Sequence, residues 1–169
     1  MTPPVKRVRD SEVSFARTMS QLDANLIGNV HGGVIMHEVD MAAGTVAARH
    51  CGRVCVTAAI DELSFLQPVY VGDVLFVHAR VNDVGRTSLE VGVRVEAEPW
   101  RGGTRRHTTS AYLVMVCLDD DGRPVEVPPL LVDGEDERRR QAQARIRRDI
   151  RKERIDRIGT YRPEPGGDD

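Results

Sequence analysis

The sequence predicts an α+β domain: an antiparallel sheet curved around one long helix, with a charged helix attached on its C-terminal side. Three observations carry this. Residues 33–50 run without proline and are apolar over most of the helical wheel, the pattern of a helix buried nearly all round. From Val54 to Leu118 the apolar residues repeat with period two, in segments separated by turn residues. Residues 135–158 hold ten Arg or Lys against six Asp or Glu, a local net of +4, with no proline; such a composition suits a helix.

In chain order, residues 1–10 are polar and carry two prolines, the composition of a loose arm. Val13, Phe15, Arg17 and Met19 alternate with smaller residues, which predicts a strand that Arg17 weakens. The turn-rich stretch from Asp23 to Gly33 leads into the helix. In that helix Val34, Ile35, Met36, Val39, Met41, Ala42, Ala43, Val46 and Ala47 are apolar. His37, Glu38, Asp40, Thr45 and Arg49 interrupt them. Val54, Val56 and Ala58 open the next strand, which continues to Phe65 and Leu66. Val74 to Val84 forms another, with Leu75, Val77, Ala79 and Val81 on one face. Leu89, Val91, Val93 and Val95 alternate with Glu90, Gly92, Arg94 and Glu96, the cleanest strand pattern in the chain. Thr108 to Leu118 is the last, closed by Asp119-Asp120-Asp121-Gly122. Ile146, Ile150 and Ile158 give residues 135–158 only a thin apolar stripe, as on a solvated helix resting on its own domain or a neighbour. The division expected is an arm at 1–10, a sheet-and-helix domain at 11–130, the charged helix at 131–160 and a disordered tail at 161–169. A sheet of this kind leaves an edge strand and part of the helix uncovered, so a dimer with a continuous sheet is expected.

The 169 residues suffice for one domain with a substantial core. Hydrophobic residues are 40% and charged residues 30%, an ordinary globular balance. A formal net charge of −2 argues against a general nucleic-acid binder, which would be strongly basic. No apolar run approaches the roughly 18 residues of a membrane span, and residues 1–10 hold no apolar secretion core, so a cytoplasmic location is expected. Cys51, Cys55 and Cys117 are odd in number; Cys51 and Cys55 are close, but no second Cys or His pair sits at zinc spacing, and two ligands do not make a structural metal site. Buried, reduced thiols and no metal are therefore expected.

The densest run of chemistry is Gly28-Asn29-Val30-His31-Gly32-Gly33-Val34-Ile35-Met36-His37-Glu38-Val39-Asp40. Glycines at a helix start let a ligand or another chain approach the backbone. The free N–H groups there, with the helix dipole behind them, suit a polarised oxygen. Asp40 is a lone carboxylate about two turns further on, costly on an apolar helix unless paired or used. Its candidate role is a general base acting on water. It stands about 10 Å along the axis from Gly33, too far for one water to touch both. A two-fold interface removes the difficulty, with Asp40 of one copy meeting Asn29 and the glycines of the other.

The run from Gly28 to Gly44 resembles the acyl-CoA hydrolase branch of the hotdog-fold thioesterases. Val56-Thr57-Ala58-Ala59-Ile60-Asp61, Phe65-Leu66-Gln67-Pro68, Gly72-Asp73-Val74, Thr87-Ser88-Leu89-Glu90-Val91 and Val127-Pro128-Pro129 are similar as well. The resemblance covers roughly residues 10–158. It implies hydrolysis of acyl-CoA thioesters, with coenzyme A as part of the substrate and no cofactor or metal. Some relatives carry two such domains in one chain, with a catalytic Asn in one and a catalytic Asp in the other. Asn29 matches the first and Asp40 the second, so a homodimer, or a trimer of dimers, would form composite sites. The resemblance implies that Asp40 activates water or attacks directly, that Asn29 positions water or carbonyl, and that the Gly32 and Gly33 backbone binds the oxyanion. His31 would shape the site, and His37 would be an interface or packing residue. Arg86, Arg105 and Arg106 are candidates for the coenzyme A phosphates, and Thr57 and Ser88 for the pantetheine channel. Neither a nucleic acid nor a membrane is an expected partner. Two other readings stay open: a non-enzymatic acyl-CoA sensor, and a hotdog hydratase or dehydratase using Asp23 and His31.

Overall fold

The computed structural model describes residues 4–159. The elements are β1 (Lys6–Arg7), β2 (Val13–Thr18), α1 (Gly32–Cys51), β3 (Cys55–Phe65), β4 (Asp73–Val84), β5 (Ser88–Pro99), β6 (Arg106–Cys117), β7 (Leu130–Leu131) and α2 (Glu135–Ile158). Five strands form one antiparallel sheet in the order β2-β4-β5-β6-β3. Its inner face receives α1, which is the hotdog arrangement.

The period-two pattern becomes the packing face. Leu75, Val77, Ala79 and Val81 of β4, Leu89, Val91, Val93 and Val95 of β5, and Ala111, Leu113 and Met115 of β6 are buried. They meet Ile35, Val39, Ala42, Ala43, Val46 and Ala47 of α1. Burying each Val or Leu contributes about 1.5–3 kcal/mol, and the alanines let the helix lie close. The sheet covers only one side of α1. Met36 is 43% exposed, Met41 54%, and His37, Asp40 and Thr45 are exposed beside them. The expected all-round burial is therefore not reached within one chain.

Arg17, the apparent flaw in β2, points inward as an ion-pair centre. It binds Asp23 at 2.6 Å and Glu38 of α1 at 2.5 Å, tying the loop before the helix to the helix itself. Residues 4–10 are not the loose arm expected. β1 pairs in parallel with β7, Val8 is buried, and Lys6 Nζ donates to the Arg49 carbonyl. One buried valine and two paired residues suffice to order so short a segment. The expected disordered tail, 161–169, lies outside the described residues.

α2 lies on the outer face of the sheet, by an unexpected side. Ile146, Ile150 and Ile158 point to solvent, while arginines face inward. Arg147 binds Glu90, Arg148 binds Asp83 and Arg151 binds Asp61; Arg147 also stacks 3.6 Å above the Tyr112 ring. Asp83 and Glu90 are buried, and buried carboxylates require such partners. At the crossing of β4 and β5, a side chain on Gly92 would meet Asn82 at 2.5 Å, so this position admits no Cβ without rearrangement.

His50, fully buried in α1, accounts for a pH dependence. Its Nε2–H donates to the Pro128 carbonyl at 2.9 Å, and Nδ1 has no partner among the described residues. Burial pushes its pKa below the usual histidine value. The unfolded chain then binds a proton that the fold refuses, so stability is fully present above about pH 6.5 and falls as the pH drops below it. Urea midpoints are expected to decline on acidification below that pH in the wild type, and to decline less in His50→Gln. Equal declines in the two proteins would remove His50 as the cause.

Candidate active site

The loop before α1 is built on Asn25. Its side-chain Oδ1 accepts from the Ile27 and Asn29 N–H groups, and its own N–H donates to the Asn29 carbonyl. An Asx turn of this kind holds a loop without regular pairing. The loop is moored by Val30 N–H to the Val69 carbonyl and by His31 N–H to the Asp23 carbonyl. Asn25, Asn29, Val30, Gly32, Ile35 and the segment 65–69 enclose a depression of about 320 Å³. Among the described residues the Asn29 side-chain amide and the Asn25 Nδ2 make no hydrogen bond, so both are available to an occupant of the depression.

His31 caps α1. Its Nδ1 accepts from the Gly33 N–H at 2.8 Å, which requires the unprotonated nitrogen there. Of the two N–H groups expected as oxyanion donors, that of Gly33 is therefore engaged. That of Gly32 makes no hydrogen bond among the described residues, and it lies at the positive end of the helix. A Cβ at Gly32 would stand 3.3 Å from the Phe65 ring, so glycine allows the ring to roof the helix start.

Asp40 does not line that depression. It is exposed on the uncovered side of α1, eight residues and about 12 Å along the axis from Gly32. Thr57 Oγ1 donates to its Oδ1 at 2.6 Å, and Oδ2 has no hydrogen-bond partner among the described residues. Thr57 stands where β3 bulges against β6, between Thr57 and Ala59; bulges re-aim side chains beside functional sites. On the same face of α1 and β3 lie Met36, Met41 (next to Asp40 in sequence) and, on the strand, Ile60, all more than 40% exposed. β3 is an edge strand of eleven residues. A carboxylate in an apolar patch beside an open strand edge has the form of a half-site.

The other expected residues are dispersed. Arg106 is held by Asp73 at 2.6 Å and by the Pro68 carbonyl, next to the depression. Arg105 pairs with Glu98 and stacks on Phe76. Arg86 is exposed in the β4–β5 turn. Ser88 lies in a crevice beneath α2 with Glu90, Arg148 and Arg151, on the opposite face of the sheet from α1. His37 is exposed on α1. Asp23 is buried and bound by Ser20 N–H, Ser20 Oγ and Arg17. The Ser20 backbone donor, foremost, holds its pKa below the usual carboxylate range. With Asp23 so committed and His31 capping the helix, no acid–base pair of the hydratase kind is present at this loop. Asn25 was not among the residues expected from sequence; the Asn-X-X-Gly spacing before the motif was its signal.

Fold and loop define a thioesterase-superfamily domain, and the model of that superfamily matches residues 27–103. A Bacillus subtilis protein named as an uncharacterised acyl-CoA thioester hydrolase is 35% identical over 136 residues, 80% of this chain and 79% of that protein. The rat cytosolic acyl coenzyme A thioester hydrolase is 34% identical over 142 residues, 83% of this chain. The chain spans only 37% of that rat protein's length. A hexameric acyl-CoA thioesterase superposes with a TM-score of 0.87 at 34% identity, covering 90% of this chain and 97% of that one. The Staphylococcus aureus acyl-CoA hydrolase, solved with butyryl coenzyme A and coenzyme A, gives a TM-score of 0.85 at 30% identity over 92% and 94%. Structures of that enzyme also exist with alanine replacing an aspartate, an asparagine fifteen residues before it, and a threonine seventeen residues after it. The chain belongs to the acyl-CoA thioester hydrolase family.

Proposed function

We propose that the chain hydrolyses acyl-CoA thioesters to free acid and coenzyme A, at a site completed by a second copy of itself. The observation that carries this is the Asp40–Thr57 pair, set in an apolar patch outside the Asn29–Gly32 depression. Asn25, Asp40 and Thr57 have the same residue types and the same spacing as the three positions varied in the S. aureus enzyme. The hexameric state of structural neighbours supports assembly through the uncovered face of α1 and the edge of β3.

In this reading Asp40 Oδ2 takes a proton from water, and the resulting hydroxide attacks the thioester carbonyl. The Gly32 N–H of the partner holds the oxyanion. Asn29 and Asn25 of the same loop position the carbonyl and the water. Collapse of the tetrahedral intermediate breaks the C–S bond, and the coenzyme A thiolate takes the proton back from Asp40. Arg106, beside the depression, and Arg105 and Arg86 are the candidate phosphate contacts. Ser88, under α2, is not placed to line the same channel within one chain. No cofactor enters the scheme. No helix among the described residues is long and apolar enough to cross a membrane, and the cytosolic relative supports work in the cytoplasm.

Release of thiol from acyl-CoAs of short to long chain tests this reading. Turnover of at least one chain length is expected. Binding of acyl-CoA without thiol release would make the chain a sensor. Thr57→Val removes the hydrogen bond that orients Asp40 and is expected to lower kcat about 10–100-fold, with KM little changed. Thr57→Ser is expected to retain most activity. Equal losses in both variants would assign Thr57 to packing.

A further inference from the structure

Cys51 and Cys55 are close in sequence and Cys117 is far from both, yet the fold gathers all three. Cys51 ends α1, Cys55 opens β3 and Cys117 ends β6. Their sulfur atoms all lie within 4.8 Å of one another. All three are free thiols; Cys117 is buried as expected, and the other two are only half-buried. We propose that Cys51, Cys55 and Cys117 form a three-thiolate site for a thiophilic d10 cation, zinc(II) or copper(I), separate from the hydrolytic centre.

The backbone sets the geometry. Cys55 and Cys117 face each other as register partners in the antiparallel pair. Leu118 N–H bonds to the Val54 carbonyl on one side of them, while Cys117 N–H and C=O turn away to Thr87 and Val125. This is a non-hydrogen-bonded pair, the closer kind, with side chains adjacent on one face. Cys51 reaches the same point from the helix end, where Gly52 at φ +66° reverses the chain. Metal–sulfur bonds of about 2.3 Å in a trigonal array place the sulfurs about 4 Å apart, a separation inside the 4.8 Å within which the three already lie.

Two further features favour a cation. The C-terminus of α1 carries the negative end of the helix dipole. A depression of about 740 Å³ lies at the same end of the β3–β6 pair, lined by Gly52, Arg53, Val54, Leu118, Asp119 and Asp120. These residues flank the three cysteines in sequence, and the two carboxylates outnumber the single guanidinium of Arg53. Soft thiolates select zinc(II) and copper(I) over magnesium or calcium. Binding replaces three S–H protons by three metal–sulfur bonds and releases those protons to solvent. The bound ion would fasten α1, the helix carrying Asp40, to β3 and β6.

Cadmium(II) titrated into reduced, chelator-treated full-length protein is the test. One equivalent per chain is expected, with a sulfur-to-metal charge-transfer band, three thiols protected from alkylation and a raised Tm. Magnesium(II) is expected to give none of these. Cys51→Ser, at a half-exposed helix end, is expected to keep the circular dichroism of the wild type and to bind cadmium at least about tenfold more weakly. The proposal is overturned if the wild type shows no band and its thiols react equally fast with and without cadmium. It is also overturned if Cys51→Ser binds as tightly as the wild type.

Discussion

Asp40→Asn is expected to lower kcat for acyl-CoA hydrolysis about 10²–10⁴-fold, with KM and Tm close to those of the wild type. The amide keeps the volume of the carboxylate and still accepts the Thr57 hydroxyl at Oδ1, but it cannot take a proton from water. Asp40 is exposed in the single chain and supports no part of the core, so stability gives no competing reason for lost activity. Thiol release measured across substrate concentrations separates the two constants. A variant retaining a tenth or more of wild-type kcat would leave Asp40 without the role of base.

Ile60→Lys is expected to shift the protein to a smaller species on size-exclusion chromatography and to remove turnover along with it. Ile60 lies on the open edge strand β3 and is 41% exposed, so a lysine there is harmless to a lone domain. At an edge that pairs with its own copy it places two like charges together, the device by which edge strands avoid pairing. Activity is expected to fall at least about 100-fold, in step with the loss of the larger species, because the Asn29–Gly32 depression and Asp40 lie too far apart within one chain to share a water. A dissociated chain with full activity would place the complete site inside one copy.

The long periodic elements were legible in sequence because local pattern alone decides them. α1 begins and ends within one or two residues of 33–50, and β4, β5 and β6 follow their alternations. What escaped was non-local. β1 and β7 are two residues each and pair across most of the chain; no periodicity can show in so short a strand. Arg17 read as a flaw because its partners, Asp23 and Glu38, belong to a loop and a helix not yet placed. α2 was legible as a helix, but its docking face was not. Hydrophobic patterning points to Ile146 and Ile150, whereas the sheet surface beneath it is acidic and selects Arg147, Arg148 and Arg151.

The site divides the same way. Asp40 stood out because a carboxylate on an apolar helix calls for a reason, and the glycines because a helix start with two of them is open to approach. Thr57 was seen as a channel residue; its bond to Asp40 depends on the β3 bulge, which no pattern announces. Asn25 sits in a loop whose Asx turn is visible only once the chain folds back from Asn29. Gly33 was expected to face the oxyanion, but a histidine two residues earlier caps it, and the neighbouring Gly32 holds the free donor. Cys117 is far from Cys51 and Cys55 in sequence, and only the β3–β6 register brings it beside them.

The central claim is that each site draws Asp40 from one copy and the asparagine loop from another. Mixing tests it most directly: Asp40→Asn and the double variant Asn25→Ala/Asn29→Ala, each inactive alone, are unfolded together, refolded and assayed for thiol release. In a two-fold dimer, half of the randomly mixed pairs are heterodimers, and each holds one intact site of two. Recovery of about a quarter of wild-type activity is the result the account predicts. A mixture no more active than its components, although exchange of subunits is confirmed by mass, would contradict it.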